Sequence, residues 1–221
     1  MIRKNALAQN QIYHIFNKSI ADYKILNNKS DYERMFYLMR YFQIENPPTK
    51  FSYFMELKEV QQIGFFNYFD IITRDQTIIV EIIAYCLMST HIHLILKQLI
   101  SPGISDYMSN ILNSYSRYFN TKHERKGPLW EGKFQNVPVE NNEQLIHLTR
   151  YLHLNPVTAH LVERPQDWKF SSYNEYIGNT DRLVCQFNNL LEIMPKNYKK
   201  FVNDRISYQR ELALIKKHLL D

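Results

Sequence analysis

The stretch TIIVEIIAYCLMSTHIHLILKQ, Thr77–Gln98, decides the fold. Up to Met88 it is an apolar run rich in β-branched residues, the composition of a buried strand. Ser89-Thr90 is a tight connection, and HIHLILKQ (His91–Gln98) is then the antiparallel partner. Successive strand side chains point to opposite faces, so His91 and His93 share one face while Ile92 and Leu94 share the other. Two imidazoles on one face of an apolar strand are either exposed or paired with something that takes neutral nitrogens. A metal ion is the foremost candidate.

Working outward, NQIYHIFNKSI (Asn10–Ile20) alternates as a first strand. KSDYERMFYLMRYFQI follows at helical spacing, with Ser30 or Asp31 as N-cap and an end at Asn46–Pro48. Residues 49–75 are rich in aromatics and read either as an insertion or as a helix plus loop. After the hairpin, Ile104–Glu124 has helical spacing and RKGPLWEG is a loop. KFQNVPVE is a short strand whose Pro138 marks an edge. NNEQLIHLTRYLHLN starts at an asparagine cap and runs to Asn155, where Pro156 interrupts it. This order predicts an α+β sandwich, an antiparallel sheet with helices packed on one face. The expected organisation is one domain over 1–180 and a helical C-terminal appendage over 181–221, whose last helix is the amphipathic SYQRELALIKKHLL.

Composition narrows the function. A chain of 221 residues with 45% hydrophobic content can bury a core, which excludes disorder. Its net charge of +5 favours polyanionic partners, although a coding bias towards Asn, Ile, Lys and Tyr explains that excess equally well. Cys86 and Cys185 form no CxxC unit, so neither a zinc finger nor a disulfide framework is expected. The first residues lack the apolar segment of a signal peptide, and no run approaches the roughly 18 apolar residues of a membrane span. A cytoplasmic location is the expectation.

The helix before Pro156 carries groups that could complete a metal site. Tyr151 and Asn155 are four apart and share one helix face, with His147 one turn earlier on nearly the same stripe. An amide oxygen from Asn155 would complete a His-His-Asn set, with Tyr151 beside it. Each feature alone has a plainer reading. A tyrosine on an amphipathic helix is commonly half-buried core with a wet hydroxyl, and a lone HxH is commonly a surface pair.

Taken together, a His-hydrophobe-His strand and a helix bearing Tyr-x-x-x-Asn resemble the HUH-type single-tyrosine transposases. YLHLNPVTAHLVERPQDWKFSSY (Tyr151–Tyr173) is most similar to their REP-associated tyrosine transposase branch. The resemblance extends from YHIFNKS through GPLWEGKF (Gly127–Phe134) to Tyr173. It implies a ferredoxin-like core, a divalent metal ion (Mg²⁺ or Mn²⁺), and cleavage of single-stranded DNA through a covalent 5′-phosphotyrosine. By that carry-over His91, His93 and Asn155 are metal ligands and Tyr151 is the nucleophile. The partners implied are single-stranded or hairpin DNA, and a second copy of the chain if it acts as a homodimer. Two departures stand out. Ser89-Thr90 replaces the family's Pro-Asn, and Thr158 and His160 replace an Arg and a Gly after the NPV. The first touches a turn, the second a contact to DNA phosphate.

Between Tyr115 and Phe134, cations and aromatics interleave in the mix that stacks bases and tracks phosphates. Arg117, Lys122, Arg125, Lys126 and Lys133 are the candidate DNA-binding residues, whereas Trp130, Trp168 and Phe170 are expected to pack in the core. A rival reading, a nucleic-acid-binding protein of the same fold without catalysis, would have lost a ligand or the tyrosine. This sequence has all four residues. A second rival, a hydrolase activating water on HxH, normally adds carboxylate ligands, and neither HIH nor YLHLN contains one.

Overall fold

The computed structural model describes residues 6–180 and 183–211. The last expected helix, 207–220, therefore lies largely outside the described residues. In chain order the elements are strand β1 (Ile12–Lys18), helix α1 (Lys29–Tyr41), three short helices α2 (Phe51–Glu56), α3 (Lys58–Ile63) and α4 (Phe65–Ile72), strands β2 (Val80–Leu87) and β3 (His91–Gln98), helix α5 (Gly103–Lys122), strand β4 (Gln135–Val139), and helices α6 (Asn142–Thr158), α7 (Tyr173–Tyr176) and α8 (Pro195–Asn203). The strands form one four-stranded sheet in the order β2-β3-β1-β4, with every neighbouring pair antiparallel. The crossovers β1–α1–β2 and β3–α5–β4 each enclose one antiparallel strand, a split βαβ arrangement. The α+β class with an antiparallel sheet is as expected.

The helices do not keep to one face. Tyr13, Ile15, Ile82, Leu87, Ile92 and Leu94 pack with α1 and α5, whereas Ile83, Ala84, Cys86 and Ile95 pack with α6, α7 and α8. The reason is visible in the strands. β1 alternates between half-buried and buried residues, but β2 and β3 are buried almost throughout. A strand apolar on both faces must be covered on both. The second layer includes Leu191, Tyr198 and Val202, so residues beyond 180 share a core with the sheet.

Local signals set the helix ends, with two changes. The N-cap of α1 is Asn28, whose Oδ1 accepts from the amide of Asp31 at 3.2 Å, and neither Ser30 nor Asp31 is the cap. Asp31 is fully buried instead. It accepts from Lys122 Nζ (2.6 Å), Tyr118 Oη (3.0 Å) and the Asn27 amide (3.1 Å), tying α1 to α5. Burial alone would raise its carboxyl, but these donors, Lys122 first, hold it below the usual value. Asn141 caps α6 as expected, but the helix passes through Pro156 to Thr158. Proline removes one donor and has a φ that suits a helix, so in the last turn the loss is a single hydrogen bond.

The aromatic stretch 49–75 forms α2, α3 and α4, clustered on Tyr41 of α1 through Phe51, Phe54 and Phe69. Trp130 is buried and donates from Nε1 to the Leu112 carbonyl at 3.3 Å. Trp168 donates to the Leu87 carbonyl and Phe170 stacks on Tyr32 at 3.9 Å, so these three aromatics are packing residues. Among the described residues no helix is long and apolar enough to cross a membrane.

Candidate functional site

The pairing of β1 with β3 places Lys18 opposite His91, Phe16 opposite His93 and His14 opposite Ile95. Directly paired residues share a sheet face, so His91, His93, Phe16 and His14 all look the same way. That is the face carrying α6. The His91 and His93 rings are 4.9 Å apart, centre to centre and edge-on. Tyr151 reaches down from α6 with its ring edge-on to His93 at 6.0 Å and to His14 at 6.4 Å. Tyr151 is 43% exposed as a residue.

His14 is the residue that sequence reasoning missed. Its Nε2 is 3.0 Å from His93 Nδ1, and the two rings lie 5.2 Å apart in a stacked arrangement. Thr90, in the turn before β3, holds the other histidine, with Oγ1 2.9 Å from His91 Nδ1. In each histidine of the pair, Nδ1 is engaged by a neighbour, and Nε2 has no hydrogen-bond partner among the described residues. The signal for His14 was its place in β1, one residue out of phase with the core positions Tyr13 and Ile15.

Burial sets the charge states. Desolvation lowers His14 to about 4, and it lowers His91, where neighbouring Lys18 adds to the effect and Asp22 opposes it. His93 is pushed well down by burial, then by His91 and His14. All three imidazoles are therefore neutral at pH 7, the form that donates a lone pair. The Tyr151 phenol is pushed up, chiefly by burial and further by Cys86, so it carries its proton at neutral pH.

Asn155 lies one turn beyond Tyr151 on the same helix face, half-buried, with Nδ2 buried and unpartnered among the described residues. Among those residues no group of three His, Cys, Asp or Glu side chains comes together as a metal site. His147 is exposed and accepts from Arg150 Nη2 at 2.7 Å, beside Phe201 of α8; it is a helix-surface histidine.

A cleft of roughly 680 Å³ opens beside the pair, lined by Phe16, Lys18, His91, His93, Glu131 and Lys133 among others; neither Tyr151 nor Asn155 lines it. The segment 131–133 is held against β1 by the Glu131 amide on the Lys18 carbonyl (2.9 Å) and by Asn17 Nδ2 on the Gly132 carbonyl (3.3 Å). Lys133 thus stands beside the histidines. Arg117 and Lys126 are exposed. Lys122 is committed to Asp31, and Arg125 donates to Asn120 Oδ1 (3.1 Å) and to the Pro128 carbonyl (2.9 Å), pinning its own loop.

Comparison with known proteins agrees with this picture. Residues 66–155, from α4 to Asn155, match the model of the family described as "Transposase IS200 like". A Haemophilus influenzae protein named as a REP-associated tyrosine transposase is 26% identical, over 42% of this chain and 59% of that protein. The match thus spans about six tenths of that relative's length. The solved structure of a REP-associated tyrosine transposase bound to a REP hairpin superposes with a TM-score of 0.52 at 15% identity. It covers 84% of this chain and 97% of that one, a likeness of fold. The resemblance read from the sequence is borne out.

Proposed function

We propose that this chain, whose residues 66–155 match the IS200-like transposase family model, cleaves and rejoins single-stranded or hairpin DNA through Tyr151. The observation that carries the reading is the approach of the Tyr151 ring to within 6.0 Å of His93 on the sheet face shared with His91. The DNA class rests on the relatives, one of which is bound to a REP hairpin.

In the proposed reaction Tyr151 Oη attacks the scissile phosphorus. The Oη–P bond forms, the bond from phosphorus to the 3′ oxygen breaks, and a 5′-phosphotyrosine and a free 3′-hydroxyl result. The phenol gives its proton to water, which the exposure of Tyr151 permits, and the departing 3′ oxygen takes one from water. A later 3′-hydroxyl reverses the attack and rejoins the strand, because the phosphotyrosine link conserves the energy of the broken diester.

The residues present fit a divalent cation. Two neutral imidazoles have Nδ1 held by neighbours and Nε2 free, the arrangement in which a second contact orients a metal-ligating histidine. The half-buried amide of Asn155, one turn beyond Tyr151 on α6 and with its Nδ2 unpartnered among the described residues, would supply an oxygen from Oδ1. A Mg²⁺ or Mn²⁺ ion held by His91, His93 and Asn155 would neutralise charge developing on the scissile phosphate, and two imidazoles favour Mn²⁺.

A non-catalytic DNA-binding protein of the same fold remains the rival. The test is to mix the protein with labelled single-stranded DNA and Mn²⁺ and run denaturing gels. A protein–DNA adduct that survives SDS supports the nuclease reading. Tight DNA binding without adduct or strand cleavage, across Mg²⁺ and Mn²⁺, gives the assignment to the rival.

A further inference from the structure

We infer that Tyr198, on α8, is a positioning residue for Tyr151, locking with His153 the rotation of the tyrosine-bearing helix from its far side. The inference rests on Tyr151 being the nucleophile. Both Tyr198 and Ser172, the two partners of the His153 ring, lie beyond the family-matched stretch, which ends at Asn155.

The lock is a connected run of hydrogen bonds. Thr149 Oγ1 donates to the Ile146 carbonyl (2.8 Å) and so accepts from Tyr198 Oη (2.9 Å). With its proton given to Thr149, Tyr198 Oη accepts from His153 Nδ1 at 2.7 Å. His153 Nε2 lies 2.8 Å from Ser172 Oγ, which accepts from the Tyr85 amide of β2 (2.9 Å) and lies 3.2 Å from the Tyr85 carbonyl. His153, Thr149, Ser172 and Tyr198 are fully buried, and Tyr198 Oη and both His153 ring nitrogens find their partners within this run.

Position on the helix gives the lock its consequence. Thr149 and His153 are four apart, so a single hydroxyl of α8 clamps two successive turns of α6. His153 follows Tyr151 by two residues and points away from it, towards β2 and α8. A rotation of α6 by about 20° would swing a tyrosine hydroxyl, some 8 Å from the helix axis, by about 3 Å. Apolar contacts tolerate such a slip, whereas directional bonds to α8 and to Ser172, itself tied to β2, do not. A displacement of about 1 Å at a reacting atom costs on the order of a hundredfold in rate.

The experiment uses the full chain and a labelled single-stranded oligonucleotide under single-turnover conditions. Tyr198→Phe keeps the ring and removes the hydroxyl. Its cleavage rate is expected to fall roughly tenfold or more, with half-saturating DNA concentration within about twofold and faster hydrogen exchange of the α6 amides. Thr149→Val, which removes only the hydroxyl's acceptor, should move rate and exchange in the same direction, and it serves if Tyr198→Phe fails to fold. Wild-type cleavage and exchange in the variants overturn the inference, as does weaker DNA binding with an unchanged rate. Absence of cleavage by the wild-type chain sinks the nuclease reading instead, and the exchange measurement then still decides whether the lock exists.

Discussion

His14 Nε2 lies 3.0 Å from His93 Nδ1, across the pairing of β1 with β3. A neutral imidazole with Nδ1 so engaged presents Nε2 outward in a fixed orientation. His14→Phe keeps a ring in place and removes the bond. Mn²⁺ affinity, measured by calorimetric titration, is expected to weaken by about 10–100-fold, and His14→Gln should recover part of the loss. An unchanged affinity in His14→Phe would show that His93 does not depend on its neighbour.

Tyr151→Phe removes one hydroxyl from a ring whose place beside His93 is set by α6. Strand cleavage and the SDS-stable adduct should both disappear, while DNA affinity stays within about twofold. EDTA should give the same loss of cleavage in the wild-type chain. An adduct formed by Tyr151→Phe would identify a different tyrosine as the nucleophile.

The sequence exposed those parts of the site that depend on short-range geometry. The period of a strand puts His91 and His93 on one face, and the period of a helix puts Tyr151 and Asn155 on another. Whether those faces meet depends on which side of the sheet α6 takes, and the continuous burial of β2 and β3 held that clue. His14 was hidden because its meaning comes from the register between two strands, from Ile12↔Lys97 down to Lys18↔His91, which sets it against a histidine 79 residues away. The contacts of the basic residues were hidden for a related reason. Spacing does not reveal that Lys122 meets a carboxylate 91 residues away. The network around His153 was likewise invisible, since its partners come from β2, the turn before α7, and α8.

Stability should fall in acid through His153. Burial lowers this imidazole from 6.5 to about 3 in the folded chain, where Tyr198, Ser172, Tyr173 and Tyr176 surround it. Between those values the unfolded chain binds a proton that the folded chain refuses. Folding is therefore favoured at higher pH and loses about 1.4 kcal/mol per pH unit once well below 6.5. His153→Gln can still bond to both neighbours but cannot titrate. Urea unfolding at pH 7 and pH 5 should show a flatter pH dependence in the variant, whatever its absolute stability. Parallel curves for the two proteins would place the acid sensitivity elsewhere.

Two lysines from one basic stretch should fail in opposite ways. Lys122 Nζ sits 2.6 Å from a carboxylate with no exposed surface, that of Asp31, and its own side chain is about one third exposed. Lys122→Met keeps the aliphatic stem and leaves Asp31 buried without its cation, at a cost of about 1–3 kcal/mol. The melting temperature should drop and DNA binding at low temperature should change little. Lys133 is exposed on the wall of the cleft that holds His91 and His93, where a phosphate backbone would pass. Lys133→Ala should leave stability within about 0.5 kcal/mol. It should weaken single-stranded DNA binding and lower the slope of log K against log salt by about 0.7, the share of one phosphate contact. Fluorescence anisotropy across a salt series, with thermal melts of both variants, separates the two roles. A reduced salt slope in Lys122→Met with an unchanged melting temperature would return that lysine to the DNA path and remove its structural role.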